Sequence, residues 1–157
     1  MAVYLDRRVL SILFFGFSSG LPILLVGNTL SARLFEAGVS LTAIGFVTLV
    51  GLAYGFKFLW SPLVDRVPIP VLTRRLGRRR SWLLVSQLSL VAAIFGLAAA
   101  DPSTPQGLNR TILWGLVVAF ASATQDIAVD AYRTEILERE KLGAGAANIQ
   151  FGYRIGM

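Results

Sequence analysis

Four stretches of this sequence, residues 9–33, 41–64, 82–100 and 111–133, stay apolar for about 19 to 25 residues each. At 1.5 Å per residue, helices of that length reach roughly 28 Å or more, against a bilayer hydrocarbon core of about 30 Å. A soluble core would interrupt such runs with polar faces at helical or strand period. The sequence therefore predicts an all-α membrane protein, a polytopic helical bundle with four complete spans. Arg7 and Arg8 precede the first run as they would in a signal peptide. That run is long and three more follow, so it is read as a span.

Composition narrows the function classes. The chain of 157 residues is 55% hydrophobic and 15% charged, where soluble domains are nearer 25% charged. Its net charge of +6 is packed into loops between apolar segments, which suits a bilayer interface and not a nucleic acid. Cysteine and histidine are both absent. That removes disulfides, the commonest metal ligands and any His-dependent catalytic triad. No metal, cofactor or enzymatic activity is expected, and any proton coupling falls to Asp, Glu or a perturbed Lys.

Of the 15 Lys and Arg residues, eleven lie in the N-terminus, the 66–80 loop and the 133–141 segment, and two, Arg33 and Arg110, on the opposite side. This positive-inside bias predicts a cytoplasmic N-terminus. A fifth apolar segment starts near Ala144 and reaches only some 15 Å by Met157. Stopping at mid-bilayer would leave backbone carbonyls without partners. The expectation is a single transmembrane domain over 1–157, the N-terminal piece of a longer protein whose C-terminal part its function requires. Small-residue pairs Gly16/Gly20, Gly51/Gly55 and Gly152/Gly156 have the spacing for close helix packing. Pro22 predicts a discontinuity in the first span, and the uncharged third span is expected to face lipid.

Charge inside the spans carries the functional signal, because an ionised side chain at the bilayer centre costs at least roughly 2.5–3.5 kcal/mol. Asp126, Asp130 and Arg133, beside Gln125, share one helical stripe. Such a stripe belongs in a polar interior. Lys57 lies at matching depth in the second span and can pair with Asp126, or alternatively Asp130. Such a pair either fixes helix packing or tunes a carboxylate whose protonation is coupled to transport. Arg154, between Gly152 and Gly156, can either fork onto a carboxylate substrate or lie inert near the membrane edge. Asn28 either lines a cavity or bonds locally. Asp65 and Arg66, facing Gly77, Arg78, Arg79 and Arg133, are candidates for a cytoplasmic latch.

Asp65-Arg66 after the second span, then Gly77-Arg78-Arg79 before the third, resembles the signature loop of the major facilitator superfamily. It departs by Ser61, where that signature usually has Gly, and by the inserted residues 67–76. Five ordered blocks, 17–22, 57–66, 75–80, 122–133 and 152–157, together resemble the muropeptide permease (AmpG) family. The resemblance implies a facilitator fold in the bacterial inner membrane that imports anhydromuropeptides, which are sugar–peptide fragments of peptidoglycan, in symport with protons. It also implies that the first and fourth helices line the path and the third lies outside. Two other readings stay open: a facilitator of another solute, and a non-transporting membrane scaffold or assembly partner whose buried charges are purely structural.

With no native cysteine, the topology can be read by labelling intact cells with an impermeant thiol reagent. Ser103→Cys should react and Thr73→Cys should not; the reverse pattern would invert the assignment.

Overall fold

Apolar spans need internally satisfied backbones, and the described residues, 2–157, are helical with no strand. In this computed structural model the helices are α1 (Arg7–Glu36), α2 (Leu41–Leu59), α3 (Ser61–Arg66), α4 (Leu72–Leu76), α5 (Arg78–Ala99), α6 (Pro105–Ile136) and α7 (Leu142–Gly156). Four of them, α1, α2, α5 and α6, are long and apolar enough to cross a membrane. The protein is a multi-pass membrane helical bundle.

Two of the spans, α1 and α6, run to 30 and 32 residues, longer than a bilayer crossing needs. Helix α6 starts early because Thr104 accepts the Gly107 N–H at 3.1 Å, with Pro105 in the first turn. Gly77, at φ 81°, takes up the left-handed turn from which α5 departs. The second span differs from the continuous helix expected over 41–64. It tightens into 3₁₀ turns at Leu49–Gly51 and Lys57–Leu59 and restarts as α3. Pro62 has no N–H to offer the Phe58 carbonyl, and the Ser61 hydroxyl donates to that carbonyl at 3.3 Å instead. In α1, Pro22 likewise cannot reach Ser18, and the helix passes through a π-helical turn at Leu25–Thr29 before recovering.

Helix α6 is the hub. Residues Ala121, Ser122, Ala123, Thr124 and Gln125 are buried in succession, which at 3.6 residues per turn covers every direction around the axis. Its apolar window is 61% buried against 11% for α2, so α6 forms the middle of the bundle and α2 its loosest wall. Helix α5 sets Leu83, Leu90, Ala93 and Leu97 inward and leaves Leu84, Leu88, Val91 and Phe95 exposed, so one face suits lipid and the other is core. At the C-terminal end of α5, Arg33 of α1 donates to the carbonyls of Leu97 and Ala98 and of Ala100 just past the helix.

The tightest seam joins α1 to α7. A Cβ added at Gly16 would run into the Ile149 carbonyl, and one at Gly20 into that of Tyr153. Gly152 and Gly156 meet the carbonyls of Leu13 and Phe17 in the same way. Both sets of numbers rise together, so the helices run parallel with backbones in contact. Asn148 extends the seam by donating to the Val9 carbonyl at 3.2 Å. Gly51 and Gly55 were expected to pack similarly, and they do not: nothing lies within 4 Å of a Cβ at either. They sit on α2 where it tightens, away from any close-approaching helix. Asp6 closes the seam at the N-terminal end of α1, accepting from Arg8 N at 2.8 Å and from Lys141 Nζ at 2.9 Å. The Lys141 contact holds the Asp6 carboxyl below its usual range, and Asp6 in turn raises Lys141.

Because the atoms opposed to Gly16 and Gly152 are backbone carbonyls, neither site can relax around a larger side chain. Gly16→Leu and Gly152→Leu should each destabilise by about 2 kcal/mol or more. Gly51→Ala should stay within about 0.5 kcal/mol. Thermal unfolding in detergent measures both, and equal losses at all three sites would refute the seam.

Candidate functional site

Ser18 and Ser19, in the middle of α1, stand against Gln125 of α6, and beside them the polar groups of four helices meet. A cavity of about 250 Å³ lies among Ser19 of α1, Lys57 of α2, Asp126 and Asp130 of α6, and Gln150 and Tyr153 of α7. Lys57 Nζ stands 3.6 Å from Asp126 Oδ2. Trp60, just beyond Lys57, stacks on Phe120 with ring centroids 4.6 Å apart and donates to Thr124 Oγ1 at 3.2 Å. These two contacts fix the 3₁₀ turn that carries Lys57 against α6.

One residue earlier on α6, Gln125 is fully buried, and its Nε2 donates to Ser18 Oγ at 3.1 Å and Ser19 Oγ at 3.4 Å. Its Oε1, the Ser122 hydroxyl and the Tyr54 hydroxyl are buried without a hydrogen-bond partner among the described residues. Leaving such groups unsatisfied costs about 1–3 kcal/mol each. None of the three lines the cavity itself; Gln125 borders a second crevice, beside Ser18, Gln87 and Leu90.

A second charged cluster sits at the N-terminal end of α5. Arg79 of α5 bridges two carboxylates, with Nη1 2.6 Å from Asp65 Oδ1 on α3 and Nε 2.7 Å from Glu135 Oε1 on α6. Arg80 lies over the Tyr132 ring at 5.9 Å. One guanidinium therefore ties three helices together at the mouth of the loop.

The structure brings some of the sequence candidates together and separates others. Lys57, Asp126 and Asp130 line one cavity with Gln125 behind it, and Asp65 meets Arg79. Asp130 turns to Arg133 at 3.9 Å and leaves Lys57 to Asp126. Asn28 is exposed in the π-helical turn and Arg154 is exposed on α7; neither lines the cavity. Helical phase explains Arg154, since α7 points Tyr153 and Gln150 inward. Arg66 and Arg78 form no ion pair among the described residues. Tyr54, Ser122, Tyr153 and Glu135 were not singled out from sequence. Tyr54 stands three residues before Lys57 and Ser122 four before Asp126, so a same-face search around each charge finds both. Glu135 has no such local signal.

The Lys57–Asp126 contact can be tested by stability. Asp126→Asn should cost about 2 kcal/mol, below the roughly 3–5 of a fully buried pair because 35% of the Lys57 side chain is exposed. Adding Lys57→Met should recover most of that loss. Additive losses in a double-mutant cycle would show that the two charges do not interact.

Comparison with known proteins places this arrangement among transporters. A family model described as acetyl-coenzyme A transporter 1 matches residues 9–157. The chain is 44% identical over 157 residues to the anhydromuropeptide permease of Escherichia coli (strain K12), covering 100% of this chain and 31% of that protein. It is 36% identical over 157 residues to the Rickettsia felis protein named as transporter AmpG 4, covering 99% of this chain and 37% of that one. Against the Rickettsia prowazekii protein named as transporter AmpG 1 it is 37% identical over 152 residues, covering 97% and 34%. The chain spans about a third of the length of these relatives.

Proposed function

The chain belongs to the acetyl-coenzyme A transporter 1 family, among AmpG-type muropeptide permeases, and from that premise we propose that it forms part of a proton-coupled importer of anhydromuropeptides. In this reading the protein lies in the bacterial inner membrane with its N-terminus in the cytoplasm, and its cargo feeds peptidoglycan recycling. Transport is assigned to a protein of the relatives' length, because alternating access works by rocking one repeat against another.

The observation that carries the proposal is the cavity itself: one ion pair, Lys57 with Asp126, beside the hydroxyl and amide side chains of Ser19, Gln150 and Tyr153. Sugar hydroxyls and peptide amides are the groups that bond to such side chains. A coenzyme A cargo would bring several phosphate charges to a cavity whose single lining cation is already paired with Asp126. The geometry therefore favours the cargo in the permease's name over the one in the family's description. Protonation of Asp126 would free Lys57 and reset the charge of the cavity. That is the chemistry a proton-driven cycle requires. Asp65, Arg79 and Glu135 act in this reading as the inner latch, closed in the conformation seen here.

A chimera in which residues 1–157 replace the matching segment of the Escherichia coli permease, expressed in cells lacking that permease, should take up labelled anhydromuropeptide. Asp126→Asn in that chimera should abolish accumulation driven by a pH gradient while leaving substrate exchange. If Asp126→Asn with Lys57→Met restores gradient-driven uptake, Asp126 is structural and the coupling assignment fails.

A further inference from the structure

Helices α1 and α5 both pack on α6 but barely touch each other until Arg33 joins them at the C-terminal end of α5. Two separate openings lie along this junction. At the N-terminal end of α5 an open cleft of about 460 Å³ is lined by Arg7, Arg8 and Ser11 of α1, Arg80 of α5, and Tyr132 and Glu135 of α6. Arg7, Arg8 and Arg80 form no ion pair among the described residues, and the one acid of the cleft, Glu135, is held by Arg79. Farther along is a crevice of about 350 Å³, bounded mainly by Phe17, Leu21, Leu90, Val91 and Ile94, with Ser18, Gln87 and Gln125 the polar residues on its wall. From Arg80 to the Leu90–Ile94 stretch is roughly 15–21 Å of helix, about the depth of one leaflet.

We propose that the two openings together form a binding site for an anionic phospholipid of the inner leaflet, its phosphate held by Arg7, Arg8 and Arg80 and an acyl chain lying in the crevice. Arg8 Nη1 donates to the Ile136 carbonyl at 3.5 Å and Arg80 lies over Tyr132, but none of the three guanidinium groups meets a carboxylate, and all keep donors suited to a phosphodiester. A free phosphate would use the cleft and have no use for the crevice. The apolar half and its spacing select the lipid. A lipid so placed wedges α1 from α5 beside the Asp65–Arg79–Glu135 latch, and so couples membrane composition to the inner mouth.

The full chain, purified in detergent, can be titrated with phosphatidylglycerol and with zwitterionic phosphatidylcholine and the bound lipid counted by native mass spectrometry. Phosphatidylglycerol should bind about tenfold tighter or more. Arg7→Gln with Arg8→Gln and Arg80→Gln should erase that preference. Arg74→Gln with Arg75→Gln and Arg139→Gln, which removes equal charge elsewhere, should keep it. Val91→Trp, filling the crevice with the arginines intact, should weaken phosphatidylglycerol severalfold and gives a reading even if the triple arginine variant misfolds. Retained preference in the first triple variant, equal loss in both triple variants, no effect of Val91→Trp, or full displacement of the lipid by millimolar inorganic phosphate would each overturn the proposal.

Discussion

The structure depends on the cost of a charge or an unpaired backbone group in hydrocarbon. That cost turns α6 into the centre of the bundle. A helix carrying Gln125, Asp126 and Asp130 at membrane depth cannot face lipid there, so other helices must surround it. Small residues, Ala119, Ala121, Ala123 and Ala128, let them approach closely enough to do so. The parallel α1–α7 seam follows from the same requirement. With little hydrophobic drive between helices in a membrane, glycine-permitted backbone contact is what holds α7 beside the polar cavity it helps to line.

Much of this was legible in the residues. The four spans could be read from apolar length, and the depth match of Lys57 and Asp126 from counting turns to the helix ends. Gly16/Gly20 and Gly152/Gly156 were legible as a pattern, although nothing in the sequence paired them with each other. Gly51/Gly55 carries an identical pattern and makes no close contact. Spacing says where a backbone can approach; a facing helix decides whether it does. The breaks in α2 were partly visible in Pro62, while the 3₁₀ turn at Leu49–Gly51 has no comparable marker.

The site was harder to read for a related reason. A helix stripe announces its own face and not the residues opposite it. Tyr153 and Gln150 enter the cavity because α7 docks on α1 in one rotational setting, which the glycine seam determines. The same setting turns Arg154 outward, although it looked a stronger candidate by residue type. Glu135 joins Arg79 across 56 residues of sequence, a contact that only the packing of α5 on α6 creates. The five blocks that resemble the muropeptide permease family reached further than periodicity because they sample several helices at once.

The two ends of α5 are fastened by different chemistry. At one end, Arg33 holds neutral carbonyls, which are part of the backbone itself. At the other, Arg79 holds two carboxylates carried on side chains of α3 and α6. One fastening is to rigid backbone and the other to side chains that can swing away, so α5 is a lever with its fulcrum at the Arg33 end. Whatever movement this helix makes is greatest at the end where the loop arginines gather.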